Sequence, residues 1–256
     1  MEYITHFNVR LKKTSSNCIT RDNYCIPTKK IDYKEKKNIK LAKQILANVN
    51  NDISKVPIFI PREYIDIPNA MYADEETYTD EYLQKQYENC MINYDLNMAF
   101  FDKLDYEEFC KCVRKITKSN KFKQITDLNT LSGVQGLYIL VLDQYKQVYV
   151  GKSIDIKSRI LNHWSRKKHF GFLLCGSVET SVLSVDSFGA LDTTRVFYKE
   201  CGFKQIDEME NKVLEQFDNK FVLNRVAGGI NGLNCGSNVR NLLLSSTINK
   251  RILTEK

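Results

Sequence analysis

The sequence predicts an α/β protein: a small antiparallel three-stranded sheet flanked by helices, preceded by a mainly helical N-terminal domain. Three observations carry that expectation. Residues 136–142 (GLYILVL) form an unbroken apolar run rich in β-branched and aromatic side chains, and residues 147–150 (QVYV) form a second one after four intervening residues. Residues 155–165 and 207–217 carry apolar side chains at helical spacing, Ile156, Ile160 and Trp164 in one and Met209, Val213 and Phe217 in the other. Upstream, residues 39–49 (IKLAKQILANV) and much of 74–118 repeat apolar positions at the same period.

From the N-terminus, residues 39–49 read as a helix, and 56–61 (VPIFIP), with two prolines, as a strand or extended linker. Residues 74–118 read as largely helical with a break near Asn97, and Leu83, Tyr87, Met91 and Tyr94 form a packing stripe. The polar, basic stretch 118–127 marks a boundary, and 128–133 make a turn-like approach to the first strand. Residues 143–146 predict a tight turn, so the first two strands form a hairpin. Ser153 or Asp155 caps the next helix. Residues 194–201 (TRVFYKEC) read as the third strand. Before it, 175–193 form a long loop or extra hairpin, whose Asp186 and Asp192 stand near Arg195 or behind the site. These readings divide the chain into an N-terminal accessory or recognition domain (1–125), a second domain (126–230) and a basic C-terminal tail (231–256).

A chain of 256 residues is long enough for two domains. Its 43% hydrophobic and 27% charged residues are those of an ordinary soluble protein. No window approaches the roughly 18 apolar residues of a membrane span. The opening MEYITHFNVRLKK lacks the apolar core of a secretory signal, so a cytoplasmic protein is expected. The eight cysteines contain no C-x-x-C pair and read as free, mostly buried thiols of a reducing compartment. The net charge of +7 suits a polyanionic partner. It is unevenly spread: residues 10–43 carry a local +8, 63–108 a local −11 and 146–168 a local +6.

The last basic segment also concentrates chemistry. Tyr138, Tyr149, Lys152, Arg159 and His163 lie within a short span, with Arg159 and His163 one helical turn apart. Phosphodiester hydrolysis needs an in-line nucleophile, neutralised phosphoryl oxygens and a stabilised leaving oxygen. Arg159 offers a permanently charged fork for the phosphate. His163 offers an imidazole base suited to neutral pH. A phenol of pKa ~10, such as Tyr149, activates water only beside positive charge, which Lys152 and a metal ion would supply. Both residues stay open as the water-activating group. Gly151 allows a tight turn and close approach of a nucleic-acid backbone, and Lys152 aims an ammonium at phosphate. The Gly151-Lys152-Ser153 run is not a phosphate-binding P-loop, because Lys146 stands where its first glycine belongs. Arg166, Lys167 and Lys168 extend the basic surface, and His169 is expected to be a phosphate contact or solvent-exposed. Asn224 closes the far end of the site by hydrogen bonding backbone or a ligand group. Glu210 is the candidate ligand for Mg²⁺ (or Mn²⁺), since one carboxylate with waters and phosphate oxygens makes a normal magnesium shell.

Over residues 130–230 the chain resembles the GIY-YIG nuclease family. The first signature stands as Gly136-Leu137-Tyr138 and the second as Tyr149-Val150-Gly151, each with one apolar residue exchanged for another. Arg159-x-x-x-His163 followed by an aromatic, Glu210 opening ENKVL, and Leu223-Asn224 followed by Gly228-Gly229 are also similar to the family. The resemblance implies a metal-dependent endonuclease that hydrolyses DNA through a single site, with Tyr138, Tyr149, Arg159, His163 and Glu210 catalytic. It also implies that the second tyrosine, or a His or Tyr on the helix, activates water. A non-catalytic nucleic-acid-binding module on the same fold and an RNA-directed nuclease are the alternatives, because fold does not fix substrate.

Overall fold

A computed structural model describes residues 1–57, 60–165, 167–202 and 205–224. Arg166, the glycine-rich stretch 227–232 and the expected basic tail 231–256 lie outside these residues. The chain groups into two compact units. The first gathers Met1–Tyr24, Ile92–Lys168 and the chain from Leu173 onward, and the second holds Cys25–Met91 and His169–Phe172. The first unit therefore draws on segments from both sides of residue 125.

In chain order the elements are β1 (Tyr3–His6), β2 (Val9–Lys12), α1 (Arg21–Tyr24), α2 (Tyr33–Asn48), α3 (Asp80–Asp102), α4 (Tyr106–Ser119), β3 (Lys123–Ile125), β4 (Gly136–Leu142), β5 (Gln147–Ser153), α5 (Ile156–Ser165), β6 (Arg195–Glu200) and α6 (Ile206–Gln216), with short 3-10 turns between them. The architecture is mixed α/β with two antiparallel sheets, a β1–β2 hairpin and a four-stranded sheet of order β3-β6-β4-β5. The main sheet has one strand more than the three expected. Lys123–Ile125 pairs along the outer edge of β6, with Gln124 opposite Phe197. Three residues with a single apolar side chain are too short to show alternation, so the sequence reads there as a polar boundary.

All seven residues of β4 are buried, as its continuous apolar run requires. Alternate side chains face opposite ways. Leu137, Ile139 and Val141 join one core with Phe109, Val113 and Ile116 of α4 and Val213 and Leu214 of α6. Tyr138, Leu140 and Leu142 point to the other face, where α5 packs and buries Ile156, Ile160 and Trp164. Asp155 starts α5 by accepting the Ser158 N–H at 3.0 Å. The β4–β5 connection is a 3-10 turn, Asp143–Tyr145, closed by Lys146 in the left-handed region.

Helix α3 runs unbroken through Asn97, where the sequence suggests a break. Asn97 is buried, but its amide is fully used. It donates to the Asn93 and Ser181 carbonyls and accepts from the Leu183 N–H. A buried polar side chain with such partners costs the helix little. The true break falls at 103–105, where Asp105 caps α4 by accepting the Glu108 N–H at 2.6 Å. The expected stripe holds in part: Met91 is buried and Leu83 and Tyr94 are half-buried, but Tyr87 is exposed, and Cys90, Asn93, Asn97 and Phe101 are buried as well.

Two polar anchors organise the rest of the first unit. Asp192, buried in the loop before β6, accepts from the Ile19 N–H, the Gly189 N–H and the Tyr145 hydroxyl. It thereby ties the N-terminal segment to that loop. The β1–β2 hairpin adds His6, whose Nε2 lies 2.8 Å from the Thr193 carbonyl, and Phe7, stacked on Trp164. Arg195 pairs with Asp143 at the start of the β4–β5 turn, not with Asp186 or Asp192. In the second unit, Ala42 of α2 packs with Val56, Ile60 and Ile65, and the buried Glu35 carboxylate accepts from the Tyr72 and Tyr78 hydroxyls. Among the described residues no helix is long and apolar enough to cross a membrane.

The free edge of β5 is closed by Asn224. Its side-chain amide accepts the Val150 N–H at 2.9 Å and donates to the Val150 carbonyl at 2.6 Å, as a neighbouring strand would. Leu223 adds a backbone bond to the Val148 carbonyl at 2.9 Å. Asn224→Ala removes both side-chain bonds and is expected to destabilise the protein by about 1–3 kcal/mol. Urea unfolding with an unchanged m-value checks it, and a shift under about 0.3 kcal/mol would contradict this use of the residue.

Candidate active site

The site is built on the face of β4 and β5 that looks toward α5. Tyr138 and Gly151 stand directly opposite each other across the two strands. A Cβ on Gly151 would lie 2.4 Å from the Tyr138 ring and hydroxyl. The glycine is thus the space into which the ring folds. On this face the place held open for a nucleic-acid backbone in the sequence reading is taken by Tyr138.

Tyr138 is fully buried and His163 is 3% exposed. Burial of a phenol and an imidazole together is tolerated because each satisfies the other: the Tyr138 hydroxyl lies 2.8 Å from His163 Nε2. The second imidazole nitrogen, Nδ1, lies 2.5 Å from Asp186 Oδ1. The Tyr149 ring sits beside both, 5.1 Å from the His163 ring and 6.2 Å from the Tyr138 ring between centroids. Arg159 reaches this group from the same helix as His163 and interacts with both phenolic hydroxyls.

Burial dominates the electrostatics. It pushes the Tyr138 phenol well above its ordinary range, with the Tyr149 phenol adding to the rise and Arg159 opposing it. Tyr149 is raised for the same first reason, again against Arg159. Both are therefore neutral hydroxyls at neutral pH. Burial would also raise the Asp186 carboxyl, but the His163 hydrogen bond and charge, with Lys168 and Arg159, bring it below the ordinary carboxylate value.

A second group lies at the end of β5. The Lys152 ammonium contacts Asp207 and lies 2.9 Å from Glu210 Oε2. Glu210 is 5% exposed, and burial raises its pKa while Lys152 opposes the rise. The Lys152 ammonium is the charged partner of this buried oxygen. The Glu210 charge is felt by both tyrosines, which links the two groups electrostatically. Among the described residues no cluster of three or more His, Cys, Asp or Glu side chains forms a protein-only metal cage.

Two basic residues after α5, Lys167 and Lys168, bond to the loop before β6. Lys167 donates to the Ser187 carbonyl at 3.3 Å and Lys168 to Ser184 Oγ at 3.1 Å, so both brace the loop that carries Asp186. His169 falls in the second unit, stacked on Tyr78. Asn224 spends its amide on Val150, as described above. The sequence places Asp186 near Arg195 or behind the site without naming its partner; it stands behind the site, against His163, 23 positions away in an irregular loop. Its only local signal is the Ser184-Val-Asp186 spacing of a turn cap, in which the Ser184 hydroxyl accepts the Asp186 N–H at 3.4 Å.

Gly151→Ala places a methyl group inside the Tyr138 ring and must displace it. Overpacking of this kind costs about 1–3 kcal/mol. The expected result is a lower urea midpoint together with loss of any activity that needs Tyr138, and a variant as stable and active as wild type would contradict the packing.

Comparisons with models of known protein families, with curated proteins and with solved structures gave no match to this chain.

Proposed function

We propose that this chain is a GIY-YIG-type endonuclease that hydrolyses phosphodiester bonds of DNA through this one site, with Mg²⁺ or Mn²⁺ as cofactor. The observation that carries the reading is the convergence of Tyr138, Tyr149, Arg159 and His163, from two strands and one helix, with Glu210 electrostatically in reach. That set contains a phosphate grip, a proton path and a carboxylate for a hard cation.

In this reading Arg159 holds the scissile phosphate by its fork. Both phenols are neutral; Tyr138 is fully buried and His163 is 3% exposed, whereas Tyr149 is half-buried, so the attacking water meets Tyr149 and the imidazole edge rather than the Tyr138 hydroxyl. The proton of the attacking water is taken up by Tyr149 or His163, and the 2.8 Å contact with the buried Tyr138 hydroxyl holds the imidazole in place. Tyr149 orients the water or a phosphoryl oxygen by hydrogen bonding. Glu210 would hold the cation, which would supply Lewis-acid help to the phosphoryl group and its leaving oxygen. Lys152, paired with Glu210 at the end of β5, offers a second positive charge for phosphate.

The second reading is a non-catalytic nucleic-acid-binding module. It is favoured by one observation, the Lys152 ammonium occupying the neighbourhood of Glu210 where a cation would sit.

The test is cleavage of supercoiled plasmid by the purified full chain in Mg²⁺, in EDTA, and with Glu210→Ala and Arg159→Ala. Nicking is expected first, because a single site cuts one strand at a time. EDTA is expected to abolish it. Glu210→Ala is expected to slow it by about 10³-fold, several kcal/mol of metal assistance, and Arg159→Ala by about 10²–10³-fold. No cleavage of DNA or RNA by folded wild type would remove the nuclease reading in favour of the binding module. Cleavage of RNA alone would change the substrate and keep the site.

A further inference from the structure

The loop 175–193 is long for a connection between a helix and a strand, and it delivers one carboxylate to the buried imidazole. We propose that Asp186 is a positioning residue that fixes His163 in the tautomer protonated on Nδ1, leaving Nε2 as the acceptor for the Tyr138 hydroxyl. The inference deepens the function proposed above and rests on it for its catalytic meaning, but the tautomer itself is a property of the folded chain.

The argument is one of donors and acceptors. An ionised carboxylate only accepts, so the 2.5 Å contact to Asp186 Oδ1 requires the proton on Nδ1. A neutral imidazole then has a bare Nε2, and the Tyr138 hydroxyl 2.8 Å away is the donor. Without Asp186 the other tautomer becomes equally available, with Nε2–H facing a phenol that must turn its own proton elsewhere inside a fully buried site. The groups around the imidazole are Tyr138 on β4, Tyr149 on β5, Arg159 one turn earlier on α5 and Asp186 on the loop, with Lys168 acting on Asp186. Asp186 is the acceptor that the structure gives to Nδ1.

The loop is built to hold that carboxylate still. Ser184 caps its turn, Lys168 donates to Ser184, and Lys167 donates to the Ser187 carbonyl. On its N-terminal side, the Asn93 amide donates to the Val178 and Ser181 carbonyls, both at 2.7 Å, and Asn97 adds a bond to Ser181 at 2.9 Å. During hydrolysis the new bond joins the water oxygen to phosphorus and the bond to the leaving oxygen breaks. The water proton is taken up by Tyr149 or His163, the leaving oxygen takes a proton from solvent, and the group that accepted the water proton later returns it to solvent. Where His163 is that group, Asp186 balances the imidazolium, which is otherwise an unpaired buried charge.

The experiment uses the full chain labelled with ¹⁵N-histidine. There are three histidines, so the His163 signals are assigned by their absence in His163→Gln. Long-range ¹H–¹⁵N spectra at neutral pH are expected to show His163 protonated on Nδ1 in wild type. In Asp186→Asn they are expected to show a shift toward the Nε2-protonated form. In the plasmid assay Asp186→Asn is expected to lose about 100-fold or more in kcat with KM unchanged. A wild-type His163 protonated on Nε2 while neutral overturns the proposal, whether or not the variant folds. So does an Asp186→Asn protein with unchanged tautomer and kcat. A wild type that cuts neither DNA nor RNA but shows the expected tautomer change removes the nuclease reading and leaves the positioning role standing.

Discussion

Burial of β4 on both faces is the constraint from which the rest of the site follows. A strand with no exposed residue has no solvent to satisfy the hydroxyl of Tyr138, so a partner must come from inside the fold. That partner is His163, which cannot be buried with a bare second nitrogen and takes Asp186 in turn. Each polar group admitted to the interior thus recruits the next, until the series reaches a loop held by backbone and side-chain bonds. Gly151 makes the first step sterically possible, because any side chain there would occupy the volume of the tyrosine ring.

The same logic of satisfied polar groups explains the irregular regions. Asn93 and Asn97 lie inside a long helix, where asparagine has no intrinsic advantage. They are there to bind loop carbonyls that would otherwise be buried without donors. Asp192 does the equivalent for two backbone N–H groups and a phenol, and Asn224 for the last open strand edge. Few of these bonds are within one element. Most join segments far apart in sequence, so irregular chain is fixed by long-range polar contacts where periodic apolar packing is absent.

That distinction also separates what the sequence reveals from what it hides. The runs at 136–142 and 147–150, and the helical spacings of Ile156, Ile160 and Trp164 and of Val213 and Phe217, are local patterns, and strands β4 and β5 and helices α5 and α6 lie where those patterns are. The proximity of Tyr138, Arg159 and His163 is likewise readable, since hairpin and helix follow one another directly. Strand β3 and the β1–β2 hairpin are too short to carry a period. Asn97 reads as a helix breaker because its partners, Ser181 and Leu183, lie more than eighty positions away. Asp186 carries only a turn-cap spacing with Ser184, and its partner His163 is fixed only once the loop has folded back on α5.

The interlaced make-up of the first unit has a consequence for how this protein can be divided. Helix α4 supplies three residues of the core under β4, β3 completes the sheet, and α3 brings the two asparagines that grip the Asp186 loop. Even the first hairpin is fastened beside Trp164. The catalytic-looking half is therefore not a cassette that can be cut at residue 126 and grafted onto another protein. Its two strands of chain history, one before residue 125 and one after, have to be inherited, and to reach their folded state, together.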